Sequence, residues 1–281
     1  GSGWVGTGVD VATVRRLYDE LIAGQARNAG SGFQQLDTFS TYASRIDNLF
    51  SDSTTGLAAT LQNFVSAVQT VATTPSSVPA RQVLLSQAQS LVNRLKSYDG
   101  SLATINSQIN AQLQSEASTI STLAGNIANL NAKIMAAQGV NQQPPNSLLD
   151  ERDKLLRDLA THVSVTSVSQ SDGSLNVFIG TGQVLVIGGS AAAIATAPDQ
   201  FDPAGVRFVV QGVGPPTDVT DSLAGGTVGG LLQFRSQMLD PARNAIGQTA
   251  ATVAALVNGQ QAAGLDLQGQ QGTALFAVGE A

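Results

Sequence analysis

One apolar seam constrains this chain more than any other feature. Leu91, Leu95, Tyr98, Leu102, Ile105 and Ile109 recur with unbroken four-three spacing. The pattern slips by one residue at Leu113 and resumes as Ile120, Leu123, Ile127, Leu130, Ile134 and Ala137. Spacing of this kind lines one face of an α-helix and requires a partner helix, because alone it leaves Leu and Ile in water. The slip is a four-residue insertion, which locally unwinds a left-handed supercoil. If Gly100 and Gly125 do not break it, the stretch Ala80–Ala137 is a rod of about 58 residues, roughly 87 Å long. Such a rod points to an architectural part more than to a catalytic one.

The segments around it follow the same logic. Residues 11–50 read as helix, with Val11, Val14, Tyr18 and Leu21, then Leu36, Phe39, Ala43, Ile46 and Phe50, at three- and four-residue spacing. Between the two sets, Asn28–Gly32 predicts a kink or an interruption, since each glycine costs about 1 kcal/mol relative to alanine in a helix. A shorter helix spans about Leu57 to Ala72, and Pro75 and Pro79 bracket a turn. Two prolines in Gly139–Ser147 stop the long helix, and Asn146 or Ser147 is the expected N-cap of the next. That helix, LLDERDKLLRDLA, places seven charges between Asp150 and Asp158. Its pairs Asp150–Lys154 and Asp153–Arg157 have opposite sign at i,i+4, the pattern of a salt-bridged surface.

From Val163 the period changes to alternation. VSVTSVS, an Asp172-Gly173 turn, SLNVFIG, a Gly180–Gly182 turn and VLVIGG read as successive hairpin strands, and RFVVQGV adds another. Pro198, Pro203, Pro215 and Pro216 mark loops. Helix then returns, with Leu232, Leu239, Ile246 and Val253 in one column seven apart, to about Ala263. Pro241 should kink it. The final GLDLQGQQGTALFAVGEA is loop-like. The fold class is therefore mainly α with a small inserted β unit: an elongated antiparallel rod of long helices plus a β-hairpin subdomain. Its expected division is a discontinuous helical rod (1–162 and 223–265), an inserted β subdomain (163–222) and a last segment (266–281).

Composition narrows the chemistry. Only 12% of residues are charged, and the net charge of −6 argues against binding nucleic acid, which needs clustered Lys and Arg. No run of about 18 apolar residues exists to span a bilayer. Cysteine is absent, which excludes disulfides, thiolate chemistry and cysteine-based metal sites. The single histidine, His162, reads as a helix-end residue before a strand. GSGWVG spells Gly-x-Gly-x-x-Gly with Gly1, Gly3 and Gly6, but no strand feeds it, and GTGQVLVIGG lies between strands. With the acidic cluster and His162, these are the only features favouring an enzyme, and they lie on separate elements. No catalytic, cofactor-binding or metal-ligating residue is assigned, and no cofactor.

Several stretches, in this order, carry a resemblance. They are GWVGTGVDVATVRRLYDELI, then RIDNLFSDSTTGLAATLQNFVSAVQTVATTPSSVPARQVLLSQAQSLVNRL, then PPNSLLDERDKLLRDLATHVSVTSVSQSDGSLNVFIGTGQVLV. GGTVGGLLQFRSQMLDPARNAIGQTAATVAALVN and the FAVG close complete the set. Together they resemble the flagellar hook-associated protein 1 family, the hook–filament junction proteins of bacterial flagella. The alternatives are another flagellar axial protein, such as flagellin or the second junction protein, and more remotely a nucleotide-dependent enzyme. RSQMLDPARNAIGQ favours the first junction protein. The resemblance implies a non-catalytic structural role in filament assembly, and a place outside the cell reached through the flagellar type III export apparatus. It implies as partners the hook protein, the second junction protein, copies of itself in the assembled ring, and an export chaperone acting through a C-terminal region. Family members carry further amphipathic helices at both ends and an outer β domain that should follow Phe276. The chain therefore reads as a central fragment, monomeric or weakly associating by itself.

Overall fold

The computed structural model describes residues 19–51, 56–140, 145–211, 215–266, 268–277 and 279. Six α-helices and seven strands follow one another: α1 (Glu20–Phe50), α2 (Leu57–Thr73), α3 (Val78–Val140), α4 (Asn146–His162), β1 (Val165–Ser169), β2 (Leu175–Ile179), β3 (Gln183–Ile187), β4 (Ser190–Ala191), β5 (Ala193–Pro198), β6 (Val206–Gln211), β7 (Thr217–Asp218), α5 (Gly226–Phe234) and α6 (Asp240–Ala263). The fold is mainly helical with small antiparallel sheets, the class the sequence implies. The readings at Trp4, Val9–Val11, Val14 and Tyr18 lie outside the described residues.

The seam of α3 is realised over 63 residues, about 95 Å of helix. Leu91, Leu102, Ile109, Leu113, Ile120, Ile127 and Ile134 are essentially inaccessible, each contributing about 1.5–3 kcal/mol by burial. Gly100 and Gly125 do not interrupt it, and a methyl group at either would meet nothing within 4 Å. Pro79 does not sit in the preceding turn, as its bracketing role suggested. It occupies the first helical turn, where its missing N–H has no intrahelical acceptor to lose.

By contacts the chain groups into two compact units, Gly1–Leu36 with Leu113–Gly230, and Asp37–Gln112 with Leu231–Ala281. In the first, β1 to β4 form an antiparallel meander, and β5, β6 and β7 form a second sheet. The Asp172-Gly173 and Gly180–Gly182 turns fall where the sequence placed them. Between β2 and β3 the register shifts, Val177 pairing with Val186 and Phe178 with Val184. The extra residue is Leu185, so the neighbours Leu185 and Val186 are both buried, which plain alternation would forbid. β4, β5 and β7 were not legible in the sequence. Pro198, read as a loop marker, ends β5 opposite Val206.

The first part of α1 departs from expectation twice. The helix runs unbroken through Asn28–Gly32, and its buried face is polar. Arg27 and Ser31 are buried, while Leu21, Ile22, Phe33 and Leu36 are 63–71% exposed. Arg27 reaches Glu20 and Ser167, and Gln35 accepts the Gly225 N–H. These tertiary contacts hold the helix across two glycines that propensity alone would penalise. At the start of α4, the N-cap is Pro145 rather than Asn146 or Ser147. Its carbonyl accepts the N–H groups of Leu148 and Leu149, and no side chain caps the helix.

In the second unit, Phe64, Ala88 and Leu91 form a core on which Leu61, Leu95, Val253, Val257 and Phe276 pack. Phe50 stacks on Tyr98 at 4.9 Å between centroids, and Tyr42 meets Phe234 at 5.5 Å. Pro241 acts through a π-helical turn, Arg235–Leu239, in which the Asp240 N–H bonds the Arg235 carbonyl. A proline cannot donate to the residue four back and crowds its carbonyl, and a widened turn relieves both problems. The π turn takes up one extra residue. Leu231, eight before Leu239, is therefore buried, whereas Leu232, seven before it, is only partly so.

Candidate functional site

The buried polar residues form assemblies, and each assembly ties one element to another. Asn131 lies on α3 beside Leu130 of the apolar seam, four residues after Ile127, and is wholly buried. Its Nδ2 donates to the carbonyls of Leu175 (2.8 Å) and Gly188 (2.7 Å). Its Oδ1 accepts the Leu175 N–H (3.1 Å) and Nη1 of Arg152 (2.9 Å). All four hydrogen-bonding positions of the amide are used, and they fix its orientation, since both Nδ2 partners are carbonyls. Arg152 Nη1 also donates to the Gly173 carbonyl at 2.9 Å. This hub clamps α3, α4 and the start of β2 together.

Three further assemblies repeat the arrangement in the same unit. Ser121 on α3 both accepts the Ile194 N–H and donates to its carbonyl, each at 2.8 Å. Arg27, Glu20 and Ser167 close a triangle between α1 and β1, with contacts of 2.8–3.0 Å. His162 at the end of α4 lies 2.5 Å from Glu116 of α3, through Nδ1. In loops, Asp172 accepts the Ser174 hydroxyl and N–H, which hold its carboxyl below the usual carboxylate value of 3.8. Partial burial raises the Asp218 carboxyl, but the Thr220 N–H and hydroxyl and Arg207 outweigh it and leave it lowered.

Among the described residues, His162 ends the same helix, α4, that carries the acidic cluster, which corrects their placement on separate elements, but its Nδ1 faces Glu116 of α3. The Gly-x-Gly-x-x-Gly opening lies outside the described residues. In the second glycine-rich phrase, Gly180 packs against the Ser222 carbonyl, and the Thr181 N–H donates to that oxygen at 2.8 Å. That amide ties the turn to the Thr220–Ser222 segment, and the Gly182 N–H closes the turn on the Ile179 carbonyl at 3.1 Å. The charged helix α4 requires a correction: Arg152 and Asp153 are buried, so this is not simply a solvated salt-bridged face. The reason is the hub, which draws Arg152 inward as a donor to Asn131 and Gly173. Among the described residues no three His, Asp or Glu side chains are grouped to hold a metal ion. No described helix is long and apolar enough to cross a membrane. Reading the sequence missed Asn131, Glu116 and Ser121; the seam passes through Leu130, so its pattern carries no signal for the first.

The second unit carries an apolar cleft of about 300 Å³ whose walls include Leu91, Leu95, Ala250, Val253, Ala254 and Phe276. Its Phe276 wall is tied down by Asn258. The Asn258 Oδ1 accepts the N–H groups of Leu275 and Phe276, and its Nδ2 donates to the Phe276 carbonyl. The Phe276 ring meets Phe64 at 5.8 Å. The loop-like final segment is thus anchored on α6.

Comparison with known proteins agrees with this arrangement of helices and inserted strands. Residues 43–276 match the flagellar hook-associated protein FlgK helical domain. Flagellar hook-associated protein 1 of Salmonella typhimurium is 37% identical over 280 residues, covering 99% of this chain and 51% of that protein. Its Escherichia coli counterpart is 36% identical over 281 residues with the same coverage. The solved structure of the flagellar hook junction protein FlgK from Burkholderia pseudomallei has a TM-score of 0.85 and 35% identity, over 91% of this chain and 47% of that one. The chain spans about half the length of the curated relatives it matches. With the domain match covering most of its residues and relatives aligned along nearly all of it, the chain belongs to the flagellar hook-associated protein FlgK family.

Proposed function

We propose that this chain is a structural part of the bacterial flagellum, serving at the junction between hook and filament and needed for filament assembly and motility. The observation that carries the reading is the 36–37% identity, along 99% of the chain, with proteins named flagellar hook-associated protein 1. The geometry supports it: the hub at Asn131, the Arg27 triangle and the Ser121 contacts all use buried or partly buried polar groups to fix elements to one another. The role is mechanical and not catalytic. Long helices resist bending, and a surface rich in Asn, Gln, Ser and Thr offers hydrogen bonds to neighbours.

The partners in this reading are the hook protein on one side, the second junction protein on the other, and further copies of the chain in the assembled ring. An export chaperone acts through a region C-terminal to this chain. The protein works outside the cell after passage through the flagellar type III apparatus, whose narrow channel suits a chain that no disulfide staples. In the same reading, 1–162 and 223–265 make the rod, 163–222 the inserted β subdomain, and 266–281 the start of an outer β domain. The test is to restore flanking regions like those of the relatives and express the protein in a strain lacking its own junction protein. Electron microscopy should find it on hook ends, with filaments and swimming restored. Bare hooks despite normal export would refute the junction role.

A further inference from the structure

The connection between β5 and β6 is a frame built around one exposed ring. Asp199 Oδ1 accepts the N–H groups of Phe201 (2.7 Å) and Asp202 (3.2 Å), and Asp202 Oδ1 accepts that of Ala204 (3.0 Å). The backbone closes the loop through Asp199 N to Gly205 O and Gly205 N to Asp202 O, at 3.1 and 2.8 Å. Pro198 and Pro203 restrict φ at either side of the ring. On this frame Phe201 stands 87% exposed, more than any other large apolar side chain described. None of the bonds that order the loop uses the ring. A rigid aromatic held in water on an ordered loop is the form that interface anchors take.

The other compact unit carries a hole of fitting size and chemistry. The cleft between Leu91, Leu95, Ala250, Val253, Ala254 and Phe276 holds about 300 Å³. An apolar cavity of about 150 Å³ is already enough to bind benzene. Lys96 lines the cleft and is exposed, a cation opposite in sign to Asp199 and Asp202 beside Phe201.

We propose that Phe201 of one copy of this chain seats in the apolar cleft of a second copy, with the Asp199–Asp202 loop facing Lys96. Knob and hole belong to different compact units of the chain, and every copy offers one of each. The proposal rests on the reading that this chain packs against copies of itself, and it names the surfaces. One anchor in one cleft is well below the roughly 1,200 Å² of a stable interface, so isolated chains associate only weakly through it.

The cysteine-free sequence makes the test clean. The full 281-residue chain is prepared as two single-cysteine variants, Gln200→Cys beside the knob and Ala251→Cys at the cleft, which are mixed and oxidised. Mixed disulfide dimers should exceed either homodimer. Phe201→Ala on the first partner should lower their yield roughly 10-fold or more, as for an aromatic hot spot. Phe201→Leu should retain part of that yield, and Lys96→Glu on the second partner should lower it. Circular dichroism confirms that each variant is folded. Mixed dimers no more frequent than homodimers, or insensitive to Phe201→Ala, would overturn the contact. The same cysteines are then placed in the lengthened protein on hook ends. Hook binding without the cross-link defeats this contact and leaves the junction role standing; the cross-link without hook binding does the reverse.

Discussion

Arg152 reaches Asn131 with Nη1 at 2.9 Å, and both side chains are buried. The asparagine has no unused hydrogen-bonding position, so its chemistry is testable by near-isosteric change. Asn131→Asp gives Arg152 an anion yet replaces both Nδ2 donors with acceptors facing the Leu175 and Gly188 carbonyls. Each buried unsatisfied group costs about 1–3 kcal/mol, so we expect a net loss of roughly 2–5 kcal/mol despite the new ion pair. Urea denaturation at neutral pH checks this. A variant as stable as the parent would show that the ion pair dominates the hub.

Two glycines should respond to alanine with opposite sign. At Gly226, φ is +58° and an added methyl group would collide with the backbone of His162 and Val163. The left-handed backbone alone costs about 1–3 kcal/mol for a non-glycine residue, and the collision adds to it. Gly30 lies inside α1 with nothing within 4 Å of the new methyl. Gly30→Ala should therefore stabilise by about 0.5–1 kcal/mol. Melting temperatures should fall for Gly226→Ala and rise for Gly30→Ala.

Asp172 predicts an acid limb. Its folded carboxyl is lowered by the Ser174 hydroxyl and N–H, so the unfolded chain takes up the proton first as pH falls. The stabilisation is complete above the ordinary carboxylate value of 3.8 and is lost as pH drops through the lower folded value. Asp172→Asn should lower stability at pH 7, and the gap to the parent should narrow below about pH 4. Unfolding curves recorded from pH 7 to pH 3 would show it; a gap constant across that range would exclude the mechanism.

Asn258→Ala removes three bonds that hold Leu275 and Phe276 against α6. The helical core should survive, since Asn258 is only partly buried, but the final segment should loosen. Limited proteolysis is expected to cut between Gly264 and Phe276 faster in the variant, with little change in helicity. Equal cleavage rates would mean that the Phe64–Phe276 contact alone suffices.

The parts of the fold that were legible share one property: their signal is local. The α3 seam repeats every turn, and the β1–β2 and β2–β3 hairpins announce themselves through Asp172-Gly173 and Gly180–Gly182. Elements held by distant partners were not legible. β5 reads as AIATAP, with little alternation of large and small; it exists because β6 pairs with it and Ser121 bonds Ile194. The hub joins residues 21 to 57 positions from Asn131, and no local pattern encodes such a meeting. The polar inner face of α1 inverted an amphipathic reading for the same reason, because Arg27 answers to Ser167 across 140 residues.

The π turn at Arg235–Leu239 has a consequence for how the length of this chain can vary. It stores one residue more than the α-helical seam requires, and the buried positions on either side remain in line because of it. That makes the segment a natural place for a one-residue deletion. Removing Gln237, which is exposed, should keep Leu231 and Ile246 in line, with the cost confined to the Pro241 ring, which then meets the carbonyl that the widened turn now spares. A deletion of the same size at an ordinary turn of α6 would instead rotate every following side chain by about 100°. A one-residue deletion here should therefore cost the local fit of Pro241 and spare the packing on either side.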